Sequence, residues 1–324
     1  MFNILEAFLK TTDLRPRFTP ARCLVVRYSV DGCTACQDAC PHEAVQIEPD
    51  QGEVRLDPQL CTGCGLCVLA CPSGALEYDT EACMVALKQQ ENRAKLCCSQ
   101  VQTGSPAVRC LARLTPGILA VSQAWEKTLV LQHGDCSSCA VGSGSVPASL
   151  DGLIEQTQRH RNGFQWFDIS IEEHDTAPRQ VSRRGALGEL FSSARRMVAH
   201  LIPERPLPFV DWNEIENRTP SDWQWRLKSI RLPSSASTPV FWPTPKVDDS
   251  CILCPVCTNV CPTEAIGREI LPDGSFELRL NPAACTGCRA CDVSCPPQAI
   301  SMQDTLPFCD IAQTHVLQKG SGSH

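Results

Sequence analysis

Hydrophobic and polar residues alternate in two short segments, one near each end of the chain. The first reads VQIEPDQGEVRLD over residues 45–57, and the second reads GREILPDGSFELRL over residues 267–280. Alternation on both sides of a turn that contains Gly and Pro is typical of a β-hairpin, because successive side chains of a strand point to opposite faces. The pattern therefore predicts one hairpin in each segment.

The residues between these hairpins have longer apolar runs whose spacing alternates between strand and helix. The runs predict strands at 94–98, 128–132 and 164–170, and helices at 110–124 and near 147–160. Strands that alternate with helices form parallel β-α-β units. We therefore expect a small parallel α/β unit over residues 84–180.

Residues 181–250 predict a connection rather than a packed domain. Apolar residues recur at helical spacing from Leu187 to Leu201, and this amphipathic helix could lie on a membrane, grip a partner or pack against one of the cysteine-rich ends of the chain. Eight prolines between 203 and 245 exclude a long helix and an interior strand. The interleaved tryptophans are Trp212, Trp223, Trp225 and Trp242. The segment is therefore predicted to be a proline-rich strap packed by tryptophans.

The same cysteine pattern occurs twice. Residues 33–76 contain CTACQDACP and CTGCGLCVLACP, and residues 251–300 contain CILCPVCTNVCP and CTGCRACDVSCP. These are two copies of one unit. We therefore expect a module at 1–83, the α/β unit at 84–180, the connection at 181–250 and a second module at 251–324.

Composition narrows the functions that are open to this chain. It has 23 cysteines among 324 residues, mostly in short-spaced groups, which indicates thiolate ligands in a reducing compartment rather than a disulfide framework. We find no secretory signal and no apolar run near the roughly 20 residues that span a bilayer, so we expect a cytoplasmic protein without a transmembrane segment. A formal net charge of −7 weighs against nucleic acid and favours protein partners with basic docking faces.

A complete run has the spacing C-x2-C-x2-C-x3-C-P, in which one loop supplies three corners of a [4Fe-4S] cube. The carboxy-terminal copy resembles bacterial-type dicluster ferredoxins, in which the fourth cysteine of each run ligates the other cluster. The resemblance implies set 3 (Cys251, Cys254, Cys257 and Cys295) and set 4 (Cys261, Cys285, Cys288 and Cys291). It also implies the fold class α+β, with two ferredoxin-like dicluster modules flanking the parallel α/β unit and the proline-rich connection. Zinc is the alternative for any C-x2-C pair.

The amino-terminal copy lacks one ligand, because Val30 stands where the first cysteine would be. Cys23 lies ten residues before Cys33, and a loop could bring it to the open corner. The resemblance then implies set 1 (Cys23, Cys33, Cys36 and Cys71) and set 2 (Cys40, Cys61, Cys64 and Cys67). Two alternatives stay open, namely a three-iron cluster or Cys83 as the replacement. Cys83 and Cys309 are otherwise typical of buried free cysteines, and His42 is interpreted as a helix-start residue.

Five further cysteines fall where a parallel sheet places ligands, at strand carboxyl ends and helix amino ends. They are Cys97, Cys98, Cys110, Cys136 and Cys139. With its HGDCSSC loop, this region loosely resembles the iron–sulfur delta-type subunits found with hydrogenases and heterodisulfide reductases, which implies a fifth centre, iron–sulfur or zinc. From the placement of these cysteines at the strand ends, we expect this centre to connect the two modules electrically. Adjacent strand residues face opposite ways, so we expect one ligand from Cys97 and Cys98. The alternative is that all five are reduced structural cysteines.

No dinucleotide fingerprint, P-loop or Ser/His/Asp pattern is present in the sequence. We therefore expect an electron carrier with four [4Fe-4S] clusters rather than an enzyme. By resemblance, it would be the ferredoxin-like subunit or partner of a larger oxidoreductase, of the formate dehydrogenase, hydrogenase or reductase type. Two other functions stay open: a catalytic redox protein that uses a middle metal or thiol centre, and a scaffold with structural clusters.

Overall fold

The structure is a computed structural model that describes residues 14–29, 32–101, 107–159, 168–174, 218–230 and 237–320. All of these residues pack into one unit. Several sequence predictions lie outside the described residues: Val30, Trp212, most of the strand at 164–170, and the amphipathic helix that begins at Leu187.

The amino-terminal module has two small antiparallel ladders and two short helices. Its elements are β1 (Arg17–Phe18), a 3-10 turn (Pro20–Arg22), α1 (Ala35–Asp38), β2 (Val45–Glu48), a 3-10 turn (Pro49–Gln51), β3 (Glu53–Leu56), α2 (Leu66–Ala70) and β4 (Leu76–Glu77). β2 pairs with β3, and β1 pairs with β4. Gly52 closes the turn after β2 with a φ of 63°, in the left-handed region that favours glycine. The first predicted hairpin is therefore confirmed.

The middle unit is a parallel sheet with helices between its strands. Its elements are α3 (Glu81–Gln89), β5 (Arg93–Cys98), β6 (Ala107–Val108), a 3-10 turn (Leu111–Arg113), α4 (Pro116–Ala124), β7 (Thr128–His133), α5 (Val146–Arg159) and β8 (Ile169–Glu173). The strand order is β6-β5-β7-β8, and every pair is parallel. The predicted parallel α/β arrangement is confirmed, with β6 as an additional short strand.

The helix that the sequence predicts over 110–124 is divided in two. Thr115 is extended, and α4 begins only at Pro116. Proline has no N–H and disfavours a helical conformation in the residue before it, so the helix cannot run through this point. The separated 3-10 turn contacts α2 of the amino-terminal module instead.

Leucine side chains fill the space between the sheet and its helices. Those with no exposed surface are Leu87, Leu96, Leu111, Leu119, Leu129, Leu131 and Leu150. Burial of one such side chain is worth roughly 1.5–3 kcal/mol. The strand ends that carry the middle cysteines therefore rest on a rigid apolar core.

The carboxy-terminal part has two sheets. Its elements are α6 (Ser221–Ser229), β9 (Pro239–Val247), α7 (Val256–Val260), β10 (Ile266–Ile270), β11 (Phe276–Leu280), a 3-10 turn (Pro282–Ala284), α8 (Ala290–Val293), β12 (Ile300–Pro307), a 3-10 turn (Phe308–Asp310) and β13 (His315–Gly320). The second predicted hairpin, β10–β11, is confirmed, and β13 adds a third strand that the sequence did not predict. Within the described part of the chain, no helix is long and apolar enough to cross a membrane.

Prolines and tryptophans shape the segment that leads into this module. β9 contains three prolines and, among the described residues, pairs with β12 alone, as expected for a strand that lacks several N–H donors. Trp223 and Trp242 stack with ring centroids 4.8 Å apart. Their indole nitrogens donate to the carbonyls of Ala283 (3.1 Å) and Pro282 (2.8 Å). The packing by tryptophans is confirmed here, whereas α6 and β9 were not predicted.

Candidate metal centres

The four predicted ligand sets form four groups of neighbouring thiols. In each set, one thiol lies within electrostatic range of the other three, which means that the charges of their thiolates raise its pKa. These central thiols are Cys36, Cys67, Cys257 and Cys291 for sets 1 to 4. Cys67 also lies near Cys36, and Cys291 lies near Cys257, so the two sets of each module are adjacent.

Burial and mutual repulsion keep these thiols protonated in the absence of a metal. Burial first, and then the neighbouring thiols, raise the pKa of Cys36 to about 12 and that of Cys257 to about 11. The same causes raise the pKa of Cys67 and of Cys291. Iron replaces these protons when it binds, and thiolates are the soft ligands that iron–sulfur clusters use. Four neighbouring cysteines, each buried or partly buried, are therefore a donor set that fits a [4Fe-4S] cube.

Among the residues that the structure describes, no three Cys, His, Asp or Glu side chains are close enough to share one metal ion. A cube distributes its four thiolates over four irons, so its ligands stand further apart than those of one zinc ion.

A repeated backbone conformation follows the last cysteine of every run. The third residue after that cysteine has a left-handed φ in all four runs: Glu43 (52°), Gly74 (64°), Glu264 (54°) and Gln298 (55°). Such angles are uncommon for residues other than glycine. In the amino-terminal module, the turn directs the next amide back to the thiol, because Ala44 N and Ala75 N donate to Cys40 Sγ and Cys71 Sγ at 3.3 Å each.

Other ligand cysteines accept a hydrogen bond from the amide two residues further along the chain. These donors are Ala35 for Cys33, Leu253 for Cys251, Gly287 for Cys285 and Ala290 for Cys288. Amide donors stabilise a thiolate and tune the reduction potential of the centre that it holds.

Cys23 joins set 1 from outside the cysteine run. Its side chain is 8% exposed and lies within electrostatic range of Cys33 and Cys71. The amides of Val25 and Val26 donate to its thiol, which repeats the pattern at the other ligand positions. Cys83 differs, because burial alone raises its pKa to about 11 without a contribution from any thiol of the sets. The geometry therefore favours Cys23 as the replacement ligand.

Four of the five middle cysteines also lie together. Cys136 is within electrostatic range of Cys98 and Cys139, and Cys110 is within range of Cys136 and Cys139. The amides of Val141 and Gly142 donate to Cys139 Sγ at 3.4 Å each, and the amide of Ala112 donates to Cys110. Backbone amides therefore donate hydrogen bonds to thiols of this group, as they do to thiols of the four ligand sets.

The choice between Cys97 and Cys98 follows from the strand that carries both. Cys98 ends β5 beside Cys136 and is 7% exposed, whereas Cys97 has no exposed surface. Neighbouring side chains of a strand point to opposite faces. Cys98 therefore belongs to the middle group. Cys309 lies elsewhere and donates to Asp310 Oδ1 at 3.4 Å.

The middle unit packs on the loop of set 2 that contains Thr62 and Gly63. Arg109 Nε donates to Thr62 O at 2.6 Å, and Arg113 Nε donates to Gly63 O at 2.7 Å. Gly63 is required here, because its φ of 72° lies in the left-handed region and a Cβ atom would lie 2.9 Å from the backbone oxygen of Leu14. Cys110 is within electrostatic range of Cys64 of set 2, so the middle thiols adjoin that set.

Two histidines near the middle thiols were not identified as functional from the sequence. His42 lies in a turn, so its interpretation as a helix-start residue is wrong. Its Nε2 atom lies 2.9 Å from Val141 O. His133 Nδ1 lies 3.5 Å from Cys136 Sγ. The second residue could have been found, because it stands three positions before Cys136 in HGDC.

Comparison with known families finds an iron–sulfur domain at each end of the chain. Residues 31–75 match the model of a 4Fe-4S dicluster domain, and residues 248–264 match that of a 4Fe-4S binding domain. No curated protein matches the chain. The two matches support ferredoxin-type modules at both ends and an iron–sulfur electron-transfer protein. Neither match extends into the middle unit.

Proposed function

We propose that this protein carries electrons through four [4Fe-4S] clusters held by sets 1 to 4. We further propose that it is the ferredoxin-like subunit or partner of a larger oxidoreductase of the formate dehydrogenase, hydrogenase or reductase type. The observation that carries the proposal is the grouping of sixteen cysteines into four sets of four neighbours. When bound, each cube accepts or releases one electron at a time.

The residues around each set hold the ligands and exclude water. Set 1 rests against Val25, Val45, Val54 and Leu76, and sets 3 and 4 rest against Ile266, Leu278, Leu280 and Ile300. Low water access and amide donors are the two means by which a protein sets the potential of such a centre. For the domains we keep the division into 1–83, 84–180, 181–250 and 251–324, with one change. We assign β9 to the carboxy-terminal module, because it pairs with β12.

We propose a fifth metal centre at Cys98, Cys110, Cys136 and Cys139, adjacent to set 2. A catalytic thiol is less well supported at this position. Burial, followed by the charges of nearby thiols, raises the pKa of Cys136 to about 11, whereas a thiol nucleophile needs a lowered pKa. The neighbouring His133 instead suits a residue that orients or shields a ligand.

The proposal is tested by iron and acid-labile sulfide analysis of protein purified anaerobically with its bound partners. We expect roughly 16 iron and 16 sulfide per chain, with about two to four additional irons if the middle centre is present. About 8 irons per chain would contradict the assignment of two dicluster modules. Mass spectrometry of copurified proteins identifies the partner, and clusters that no reductant can reduce would instead favour a structural scaffold.

A further inference from the structure

The two ferredoxin-type modules contact each other directly through residues 23–29, which we call the Cys23 loop. Leu24 is 6% exposed and packs with Val260 of α7 and Ala290 of α8. Ser29 Oγ lies 3.3 Å from Ser294 Oγ, and both side chains are buried. The Cys23 loop therefore belongs to the amino-terminal module in sequence and packs on the carboxy-terminal module in space.

This contact lies between two ligand sets. Cys33 of set 1 and Cys288 of set 4 both pack against the small apolar cluster that contains Leu24. The amide donors of the Cys23 thiol, Val25 and Val26, also come from this loop. One short segment therefore supplies a ligand to set 1 and covers a ligand of set 4.

A cation of the same loop also faces set 4. The guanidinium of Arg27 lies within electrostatic range of Cys261, and its buried Nε has no hydrogen-bond partner among the described residues. Glu264, the nearby carboxylate, already pairs with Arg218 at 3.0 Å. Among the described residues Arg27 has no salt bridge of its own, so its charge acts on the surroundings of set 4.

We propose that the two modules exchange electrons at the Cys23 loop, between the centres of set 1 and set 4, and that Arg27 raises the reduction potential of the set 4 centre. The inference rests on the proposed function. One electron leaves one centre, which is oxidised, and enters the other, which is reduced; no bond forms or breaks and no proton moves. The buried Leu24 side chain packs between the two modules, where Cys33 of set 1 and Cys288 of set 4 lie against the same apolar cluster.

The first test is a redox titration of the full-length protein, followed by electron paramagnetic resonance. Arg27→Gln removes the positive charge, so the potential of one carboxy-terminal centre should shift downward. That centre is assigned to set 4 if Cys288→Ser changes the same signal. Arg27→Lys should restore the potential, and Arg55→Gln, which removes an arginine of β3 that pairs with Glu53, should leave it unchanged. An unchanged set 4 potential in iron-replete Arg27→Gln protein would overturn the inference.

The second test isolates the two facing centres. A variant in which Cys61, Cys64, Cys254 and Cys257 are replaced by alanine loses two ligands from set 2 and two from set 3. We expect the reduced spectrum of the remaining pair to be broadened by spin–spin interaction. Two independent signals with full occupancy of sets 1 and 4 would contradict the contact and leave the proposed function intact. Wild-type protein without the expected iron would instead contradict the proposed function.

Discussion

Replacing Glu77 with glutamine is expected to loosen the segment that positions Cys23. Glu77 ends β4 and is 6% exposed, and one of its oxygens accepts hydrogen bonds from Arg22 and Arg17. The other oxygen accepts from Ser221 N at 2.6 Å and Ser221 Oγ at 2.7 Å. A single carboxylate thus joins the residue before Cys23, β1 and the start of α6.

The pKa of Glu77 gives the magnitude. Burial raises it, but hydrogen bonds from Arg22 and Ser221 and the charge of Arg22 outweigh burial and lower the pKa from 4.5 to about 2. Each pKa unit corresponds to about 1.4 kcal/mol, so the charged form contributes about 3 kcal/mol at neutral pH. Because the pKa is lowered on folding, this contribution is present above pH 4.5 and is lost as the pH falls toward about 2. Removal of one partner of a buried pair costs about 3–5 kcal/mol, which agrees with this value.

The assay is native-state hydrogen exchange at pH 7 under anaerobic conditions. In Glu77→Gln protein, the amides of β1, β4 and α6 should exchange roughly 100-fold faster, because a tenfold change corresponds to about 1.4 kcal/mol. Glu53→Gln is the matched control, since Glu53 pairs with Arg55 on the surface, where ion pairs contribute little. Equal protection of Ser221 in the wild type and in Glu77→Gln would refute the reasoning.

Two further predictions concern the ligands. Cys23→Ser should convert one cube into a three-iron species visible by electron paramagnetic resonance, whereas Cys83→Ser should leave the spectrum unchanged; the opposite result would transfer the ligand role to Cys83. Cys98→Ser should lower the iron content per chain by roughly two to four irons, which are those of the middle centre. Cys97→Ser should retain that iron, because adjacent side chains of β5 point to opposite faces and Cys98 is the one beside Cys136. Equal iron in both variants and in the wild type would contradict the fifth centre.

Local chemistry explains which features could be predicted from the sequence. The hairpins and the parallel strands β5 and β7 were predictable, because their periodicity and turn residues lie within short segments. The pairing of β9 with β12 and of β11 with β13 depends on contacts between distant residues, which no local pattern records. The break before Pro116 could have been predicted from the proline alone.

The candidate sites divide in the same way. The cysteine runs and the resemblance to dicluster ferredoxins predicted which thiols lie together in sets 2 to 4, since three thiols of each set come from one loop. The middle group was expected to connect the two modules, but its thiols adjoin set 2 through Cys110 and Cys64, and the modules contact each other through Leu24. The sequence does not reveal that contact, because it depends on Leu24 packing with Val260 and Ala290, which are distant in sequence.

The candidate ligand Cys23 and the contact between the modules belong to the same segment of the chain. In the carboxy-terminal run, Cys251 stands three residues before Cys254, whereas the corresponding position before Cys33 is Val30 and the candidate ligand is Cys23. The Cys23 loop follows this candidate ligand directly, and it carries Leu24 and Ser29, which meet the carboxy-terminal module.

A cysteine introduced at position 30 would separate the two roles of the Cys23 loop, which are to supply a ligand to set 1 and to contact the carboxy-terminal module. The double variant Cys23→Ser with Val30→Cys restores the spacing of the carboxy-terminal run, so we expect the three-iron signal of Cys23→Ser to disappear and the iron content to return to that of the wild type. The loop is then no longer fixed by a ligand, and the set 4 potential should shift downward, as in Arg27→Gln. Cys23→Ser with Val30→Ser is the matched control and should keep the three-iron signal. A three-iron signal that persists in the Val30→Cys variant would show that the Cys23 loop holds its ligand for a reason other than the missing cysteine.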